Sequence, residues 1–302
     1  MKILVTGGAG FIGSHLVDQL VANSHDVLVV DDLSAGKKEY INRRAKFEHL
    51  DIRDEKLGKV VADFSPEIIY HLAAQKNVRT SLEDPKFDAE INIVGALNVL
   101  QSALKNKVAK FIFVSTCGIY GDTDQLPTDE SGPENPPSPY LLNKLTFEKY
   151  LSILCTDKMT WLAVRLSNVY GPRQDPYGEA GVVSIFIDNA INGRQLLVNG
   201  DGMQTRDFIY INDVVAALAA SLDKLEGVYN IGTGKESTLL DLIEGVRKAT
   251  TKEIEVVHQD AIVGEVRRSC LDASRIASEL GWQAKWDLNK GLELTYRWFK
   301  EK

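Results

Sequence analysis

The sequence predicts an α/β fold: a doubly wound parallel sheet followed by a smaller C-terminal α/β lobe. Two patterns carry that expectation. Short β-branched runs alternate with stretches of helical spacing through the first half of the 302 residues, the mark of βαβ units around a parallel sheet. The first such run opens directly into glycines at positions 7, 8, 10 and 13, where a strand would turn sharply into a helix.

Taken in order, KILVT (2–6) is a strand whose unbroken apolar character suits burial on both faces. Phe11, Ile12, His15, Leu16 and Leu20 follow at helical spacing. DVLVVDD (26–32), KFEHLD (46–51), EIIYHLA (67–73), AKFIFVS (109–115) and MTWLAVRLS (159–167) read as further strands, with helices over 84–106 and 140–155. The Gly/Pro-rich GPRQDPYGEAGV then breaks the alternation. Residues 1–170 are therefore expected to form the first domain and 171–302 the smaller lobe. DFIYINDVVAALAASL, a strand followed by a helix, returns the chain to the first domain at about 205–230. Near the C-terminus TLLDLIEGVRKAT is helical, and Leu288, Leu292 and Tyr296 lie on one helix face.

An apolar content of 44% and a charged content of 25% are those of an ordinary globular chain. The net charge of −7 argues against nucleic acid or an anionic membrane as the partner. No stretch approaches the roughly 20 apolar residues of a membrane span, and the N-terminal apolar run is too short for a signal peptide. Cys117, Cys155 and Cys270 are odd in number and widely spaced, so no disulfide framework is expected and a reducing cytoplasm is. Neither they nor the five histidines make metal-ligand spacing. Cys117 reads as a small buried filler and His71 as structural.

Gly7, Gly10 and Gly13 between a strand and a helix let a diphosphate approach the helix N-terminus, where free N–H groups and the helix dipole favour anions. Asp31 ends the next strand, 18 residues beyond Gly13. A carboxylate there accepts from ribose hydroxyls and repels a 2′-phosphate, and Asp32 follows it, so NAD is favoured over NADP. The Rossmann-type site is expected to take in Gly7, Gly10, Phe11, Ile12, Gly13, Asp31, Asp32, Leu33, Ser34 and Gly36.

In SPYLLNK, Tyr140 and Lys144 stand four apart, one turn along a helix face. This spacing suits hydride transfer from an alcohol. A phenol with a pKa of about 10 is a poor base, and a neighbouring ammonium together with a positive nicotinamide ring would lower that value. Ser115 or Thr116, at a strand end, offers a hydroxyl to the same substrate oxygen. No carboxylate follows until Asp122.

TGGAGFIGSHL, HLAA, VSTCGIYGD, PYLLNK, RLSNVYGPR and GDGMQTRDFIYINDV resemble, in order and over nearly the whole chain, the extended short-chain dehydrogenase/reductase family of NAD-dependent epimerases and dehydratases. Within it the likeness is greatest to UDP-glucose (UDP-galactose) 4-epimerases. Dehydratases and UDP-glucuronate decarboxylases of the family carry an acid at the strand end, where this chain has Cys117 and Gly118. The resemblance implies epimerisation at C4 of a UDP-hexose, with tightly bound, recycled NAD. C4 is oxidised to a ketone, the sugar turns over, and hydride returns to its other face. It implies Thr116, Tyr140 and Lys144 as the catalytic set. It places Asp51, Ile52, Leu72, Ala73, Ala74, Lys76 and Asn92 at the cofactor, with Tyr140 and Lys144. It places Lys76, Thr116, Tyr140, Asn168, Val198, Arg206, Glu265 and Ser269 at the UDP-sugar, with LLVNG (196–200) meeting the uracil.

Two departures from the family bear on the substrate. Ile262 stands where a second diphosphate arginine is usual, so either Arg267 or Arg268 replaces it, or diphosphate binding is weaker, or the nucleotide sugar is another, such as UDP-glucuronate or UDP-N-acetylglucosamine. Ser269 stands where a large tyrosine excludes N-acetyl groups. A non-catalytic NAD-binding regulatory protein is the alternative from another class. Leu141, Leu142, Leu145, Leu151 and Leu154 exceed what one core face needs. With the apolar 91–104 segment they suggest the family's homodimer through a four-helix bundle.

Overall fold

The structure, a computed structural model, describes residues 1–177, 181–222, 224–261 and 266–302. In chain order its elements begin β1 (Lys2–Thr6), α1 (Phe11–Ala22), β2 (Asp26–Asp31), β3 (Lys46–His49), α2 (Leu57–Phe64), β4 (Ile68–His71), α3 (Val78–Glu83) and α4 (Pro85–Ala89). A stretch of π-helix (Glu90–Gly95) leads into α5 (Ala96–Lys105), then β5 (Lys110–Thr116), α6 (Pro139–Leu154), β6 (Thr160–Leu166), β7 (Asn168–Tyr170) and α7 (Val182–Ile191). Next come β8 (Leu196–Asn199), β9 (Thr205–Arg206), β10 (Phe208–Tyr210), α8 (Ile211–Ala220), β11 (Gly227–Ile231) and β12 (Ser237–Thr238). The chain closes with α9 (Leu239–Thr250), β13 (Val256–Gln259), β14 (Arg268–Ser269), α10 (Ser274–Leu280) and α11 (Leu288–Lys300). No helix among the described residues is long and apolar enough to cross a membrane.

Two compact units result. The first comprises Met1–Ile119, Pro136–Arg165 and Val215–Tyr229; the second comprises Tyr120–Asn135, Leu166–Val214 and Asn230–Lys302.

The first unit is built on the seven-stranded sheet, ordered β11-β6-β5-β4-β1-β2-β3, a Rossmann-like parallel arrangement. β1 pairs in parallel with β2 and β4, placing Thr6 opposite both Val30 and His71. The strand order reverses between β1 and β4, and in open α/β sheets ligands bind beyond the strand ends at such a switch point. The burial of β1 explains its unbroken apolar run: Ile3, Leu4 and Val5 are fully enclosed. On one face Leu4, Val30, Ile69, Phe111 and Phe113 pack with Leu57 and Val61 of α2, Val99 and Leu100 of α5, and Phe147 and Leu151 of α6. Two buried polar ends find backbone partners: Tyr70 Oη donates to Leu218 O at 2.7 Å and Lys110 Nζ to Ser221 O at 2.7 Å.

Two expectations are corrected in this unit. The helix expected over 84–106 is not uniform: α4 and α5 are joined by the π-helical stretch ending at Gly95. There a Cβ would come within 2.9 Å of the Ile52 side chain, so the close approach of Ile52 requires glycine. The leucine surplus on α6 is also smaller than expected. Leu141, Leu145 and Leu151 are buried and Leu154 packs on the core, which leaves Leu142 exposed.

The second unit holds small sheets. β7 pairs with β10 in parallel, β8 with β13 in parallel, and β9 lies between antiparallel β12 and parallel β14. Buried Asp207 ties the unit together, accepting from Thr233 N and Oγ1, Gly234 N and Leu271 N. Its burial raises its pKa against those four donors. α9 starts with a capping box between Thr238 and Asp241.

The strongest test of packing in the first unit is its buried ion pair. Arg165 is 1% exposed and Glu148 3%, and Arg165 Nη2 lies 2.6 Å from Glu148 Oε2. Removing one partner strands a buried charge, whereas replacing both with apolar groups does not. Arg165→Met is expected to lower unfolding stability by about 3–5 kcal/mol in a denaturant titration. The Arg165→Met/Glu148→Met double variant is expected to recover most of that loss; equal losses would contradict the buried-charge account.

Candidate active site

The glycine turn follows β1. Gly7 has φ +69°, and its N–H donates to Val30 O at 2.9 Å. A Cβ on Gly7 would stand 2.6 Å from Ala73 N, and one on Gly13 would stand 2.1 Å from Gly7 O. Both positions therefore require glycine. Gly10 caps α1 with no side-chain bond, and no acidic residue occupies the first turn. The helix thus begins with N–H groups that no side chain has claimed. Phe11 and Ile12 form its first turn.

Asp31 is buried at the end of β2, accepting from Ala9 N at 2.9 Å and Leu33 N at 2.8 Å. Burial raises its pKa and the two backbone donors oppose that shift. The loop beyond it closes around the carboxylate. Leu33 is left-handed at φ +60°, Asp32 accepts from both Ser34 N and Ser34 Oγ, and a Cβ on Gly36 would lie 2.7 Å from Asp31 Oδ1. After β3, Asp51 is engaged by Arg53, whose guanidinium holds its carboxyl below the usual range, and Ile52 is buried.

Past β4, Leu72 N donates to Thr6 O and Ala73 N to Thr6 Oγ1. Ala74 is half-buried and Lys76 exposed. His71 is enclosed, bonded through Nδ1 to Thr6 Oγ1 at 2.7 Å and packed against Phe113 and Phe147. Burial and the Lys144 charge push it down to about 3, which keeps it neutral. Asn92, in the π-helical stretch, donates through Nδ2 to Gln75 O and to Asp88 Oδ1, and its buried Oδ1 has no partner. These features fit a dinucleotide: a turn that any Cβ would fill, an uncapped helix start, and a fixed amide with a spare acceptor.

Tyr140 and Lys144 come together as the helical spacing predicts. Ser138 accepts from Leu141 N and Pro139 starts α6, which sets Tyr140 in the first turn and Lys144 one turn later. Lys144 is buried; its Nζ donates to Val114 O at 2.9 Å and lies 4.6 Å from the Phe113 ring centre and 6.0 Å from that of Tyr140. Thr116 ends β5, and its Oγ1 accepts from Gly118 N at 3.2 Å. A Cβ on Gly118 would stand 2.6 Å from Leu141 Cδ2, so α6 packs closely over the place where an acidic side chain would project. Cys117 is half-buried rather than buried.

The protein's own groups do not lower the Tyr140 pKa; burial raises it well above the usual phenol value, with Asp88 and Cys117 adding to the effect. Burial also brings Lys144 down to about 8, against Asp88 and Glu148, which favour the ammonium. Desolvation and the Asp88 carboxylate both act toward the neutral phenol.

Sequence reasoning missed the groups beneath this pair. Asp88 is fully buried and accepts from Gln75, Asn92 and Asn143. Glu148 binds Ser115 Oγ and Arg165. Glu148 carried a usable signal, since it continues the four-residue spacing of Tyr140 and Lys144. Asp88 carried only its four-residue spacing to Asn92, since Asn143 lies 55 residues away.

In the second unit Asn168 N donates to Asp207 O at 2.9 Å, and its buried Oδ1 has no partner. Buried Gln204, which sequence reasoning passed over, likewise has an unpartnered Oε1. Arg206 Nη1 donates to Thr205 O at 2.8 Å, and Ser269 stands opposite Arg206 in the β9–β14 ladder. Val198 is buried within β8, where it pairs with His258 of β13. Arg267 is paired with Asp201 and Arg268 with Glu236, so both candidate replacements for a diphosphate arginine already hold carboxylates. Ile262 and Glu265 lie outside the described residues.

Comparison with known proteins places this arrangement. The NAD dependent epimerase/dehydratase family model matches residues 3–232. The UDP-glucose 4-epimerase of Mycolicibacterium smegmatis is 40% identical over 311 residues, covering 100% of this chain and 99% of its own. The crystal structure of the Thermotoga maritima UDP-glucose 4-epimerase with UDP-glucose is 43% identical, with a TM-score of 0.97 and coverage of 100% and 99% of the two chains. That of the Thermus thermophilus UDP-glucose 4-epimerase in complex with NAD is 39% identical, with a TM-score of 0.95 and 99% of both chains covered. With its glycine turn, buried Asp31 and Tyr140–Lys144 pair, the chain belongs to the NAD-dependent epimerase/dehydratase family.

Proposed function

We propose that the protein interconverts the C4 epimers of a UDP-hexose, UDP-glucose and UDP-galactose first among them, as an NAD-dependent isomerase. The observation that carries this reading is the strand end at β5. A hydroxyl on Thr116 and the Tyr140–Lys144 pair of α6 are present, while Gly118 packs against Leu141 where family members that eliminate water carry an acid. A reaction confined to one carbinol needs a single base and no further acid–base group.

NAD supplies the acceptor, and later the donor, of the hydride at the sugar's C4. Tyr140 takes the C4 hydroxyl proton and returns it after the ketone has presented its other face. Thr116 bonds the same oxygen in both halves. Lys144 sets a buried positive charge beside the phenol, and because the rest of its surroundings keep Tyr140 protonated, Tyr140 gives up its proton only when more positive charge is near. Gly7, Gly10, Gly13, Asp31 and the loop through Gly36 hold the cofactor in the first unit, with Asp51, Ile52, Leu72, Ala73, Ala74, Lys76 and Asn92. The second unit takes the nucleotide: Arg206 and Asn168 on the diphosphate, and the β8 backbone at Val198 on the uracil. Fixing the nucleotide rather than the sugar leaves the ring free to turn. Incubation of the purified protein with UDP-galactose is expected to yield UDP-glucose with no added NAD. Tyr140→Phe is expected to abolish turnover while NAD stays bound, and full activity in that variant would refute the mechanism.

Ser269, small and beside Arg206, leaves room at the sugar's C2 for an N-acetyl group. Ser269→Tyr is expected to cut turnover of UDP-N-acetylglucosamine by tenfold or more relative to UDP-galactose, through a clash of roughly 1–3 kcal/mol. An unchanged ratio would remove Ser269 from the substrate.

We place the enzyme in the cytoplasm, on its three free cysteines, and infer a homodimer through α5 and α6. Leu142 (52%), Val94 (58%) and Ile153 (67%) support it as apolar side chains exposed on or beside those helices. Light scattering is expected to give twice the 33.5 kDa chain mass, and a monomer at micromolar concentration would count against the bundle.

A further inference from the structure

We propose that Asp88 is a positioning residue for the Tyr140–Lys144 pair: its enclosed carboxylate gathers three side-chain amides and so locks the catalytic helix to the loop that carries Lys76. The inference rests on the reading of that pair given above. Asp88 has no solvent exposure. Its Oδ1 accepts from Gln75 Nε2 at 2.6 Å and Asn92 Nδ2 at 3.0 Å, and its Oδ2 from Asn143 Nδ2 at 2.6 Å. Among the described residues no lysine or arginine pairs with it. Both carboxylate oxygens are thus satisfied by amide N–H groups.

The three amides come from three places. Asn143 stands on α6 between Tyr140 and Lys144, so its bond fixes the helix face on which both sit. Gln75 belongs to the loop after β4; its Nε2 also donates to Asn77 O and its Oε1 accepts from Asn77 N, which braces Lys76 between them. Asn92 belongs to the π-helical stretch, and donation to Asp88 sets its amide so that Oδ1 remains the spare acceptor.

Asp88 also acts through space. It disfavours the Tyr140 phenolate and favours the Lys144 ammonium. The other groups facing the pair are Cys117 from the turn after β5, Glu148 from α6 and neutral His71 from β4. Of these, Asp88 alone acts on both members.

The test uses two variants of the NAD-loaded protein. Asp88→Asn removes the charge at constant shape. Titration of Lys144, followed by the 13Cε resonance of labelled lysine and assigned with Lys144→Met, is expected to move down by about one pH unit. Asn143→Ala leaves the charge and frees the helix face: kcat on UDP-galactose is expected to fall about tenfold with KM within about twofold and the Lys144 titration unmoved. An unmoved titration in Asp88→Asn, or wild-type kcat in Asn143→Ala, overturns the proposal. Should Asp88→Asn fail to fold, Asn143→Ala decides alone. Wild-type protein without activity on any UDP-sugar would sink the proposed function and leave the titration to judge Asp88.

Discussion

Glu148 and Arg165 form the contact on which the site depends. The guanidinium binds the carboxylate through Nε and Nη2, at 3.2 and 2.6 Å to Oε2, and Ser115 Oγ donates to the other oxygen at 2.5 Å. One buried charge pair thereby joins β6, α6 and β5. The helix that carries Tyr140 and Lys144 cannot slide or rotate against the strand that carries Thr116 without breaking it. Such pairs add little net stability, since desolvation offsets most of the attraction. Their effect is on geometry, and a reaction that moves one proton and one hydride needs its groups held within fractions of an ångström.

With the helix fixed, the electrostatics follow. Lys144 is buried over the Phe113 ring with its Nζ bonded to the Val114 carbonyl, so desolvation pulls it toward neutrality while Asp88 and Glu148 hold it charged. Tyr140 shares the desolvation and the Asp88 carboxylate, and for a phenol both act toward protonation. On the proposed mechanism, a base held protonated in this way would act when a further positive charge enters the site and revert when that charge is gone, which suits a reaction that runs forward and back across one carbinol.

The parts of this site readable in sequence were the local ones. The glycine turn with Asp31, and Tyr140 with Lys144, depend on spacings within a βαβ unit or one helical turn, where geometry follows from residue number. The alternation of strands and helices was readable for the same reason. The Asp88 amide cluster and the Glu148–Arg165 pair were not, because each joins elements whose adjacency arises only from packing. The protein's own effect on Tyr140 was not readable, because a neighbouring ammonium can be counted in a sequence, whereas burial and a carboxylate from α4 cannot. The leucines of α6 misled for the converse reason: pattern marks a side chain as apolar, and only packing decides which face it finds.

The central claim is that one base serves both directions at C4, with hydride leaving and returning within a closed site. The most direct measurement is the fate of a C4 label. UDP-galactose deuterated at C4, turned over by the protein as isolated in ordinary water, is predicted to give UDP-glucose that keeps deuterium at C4. Loss of that deuterium to solvent would mean the bond is broken as a proton, and would contradict the account.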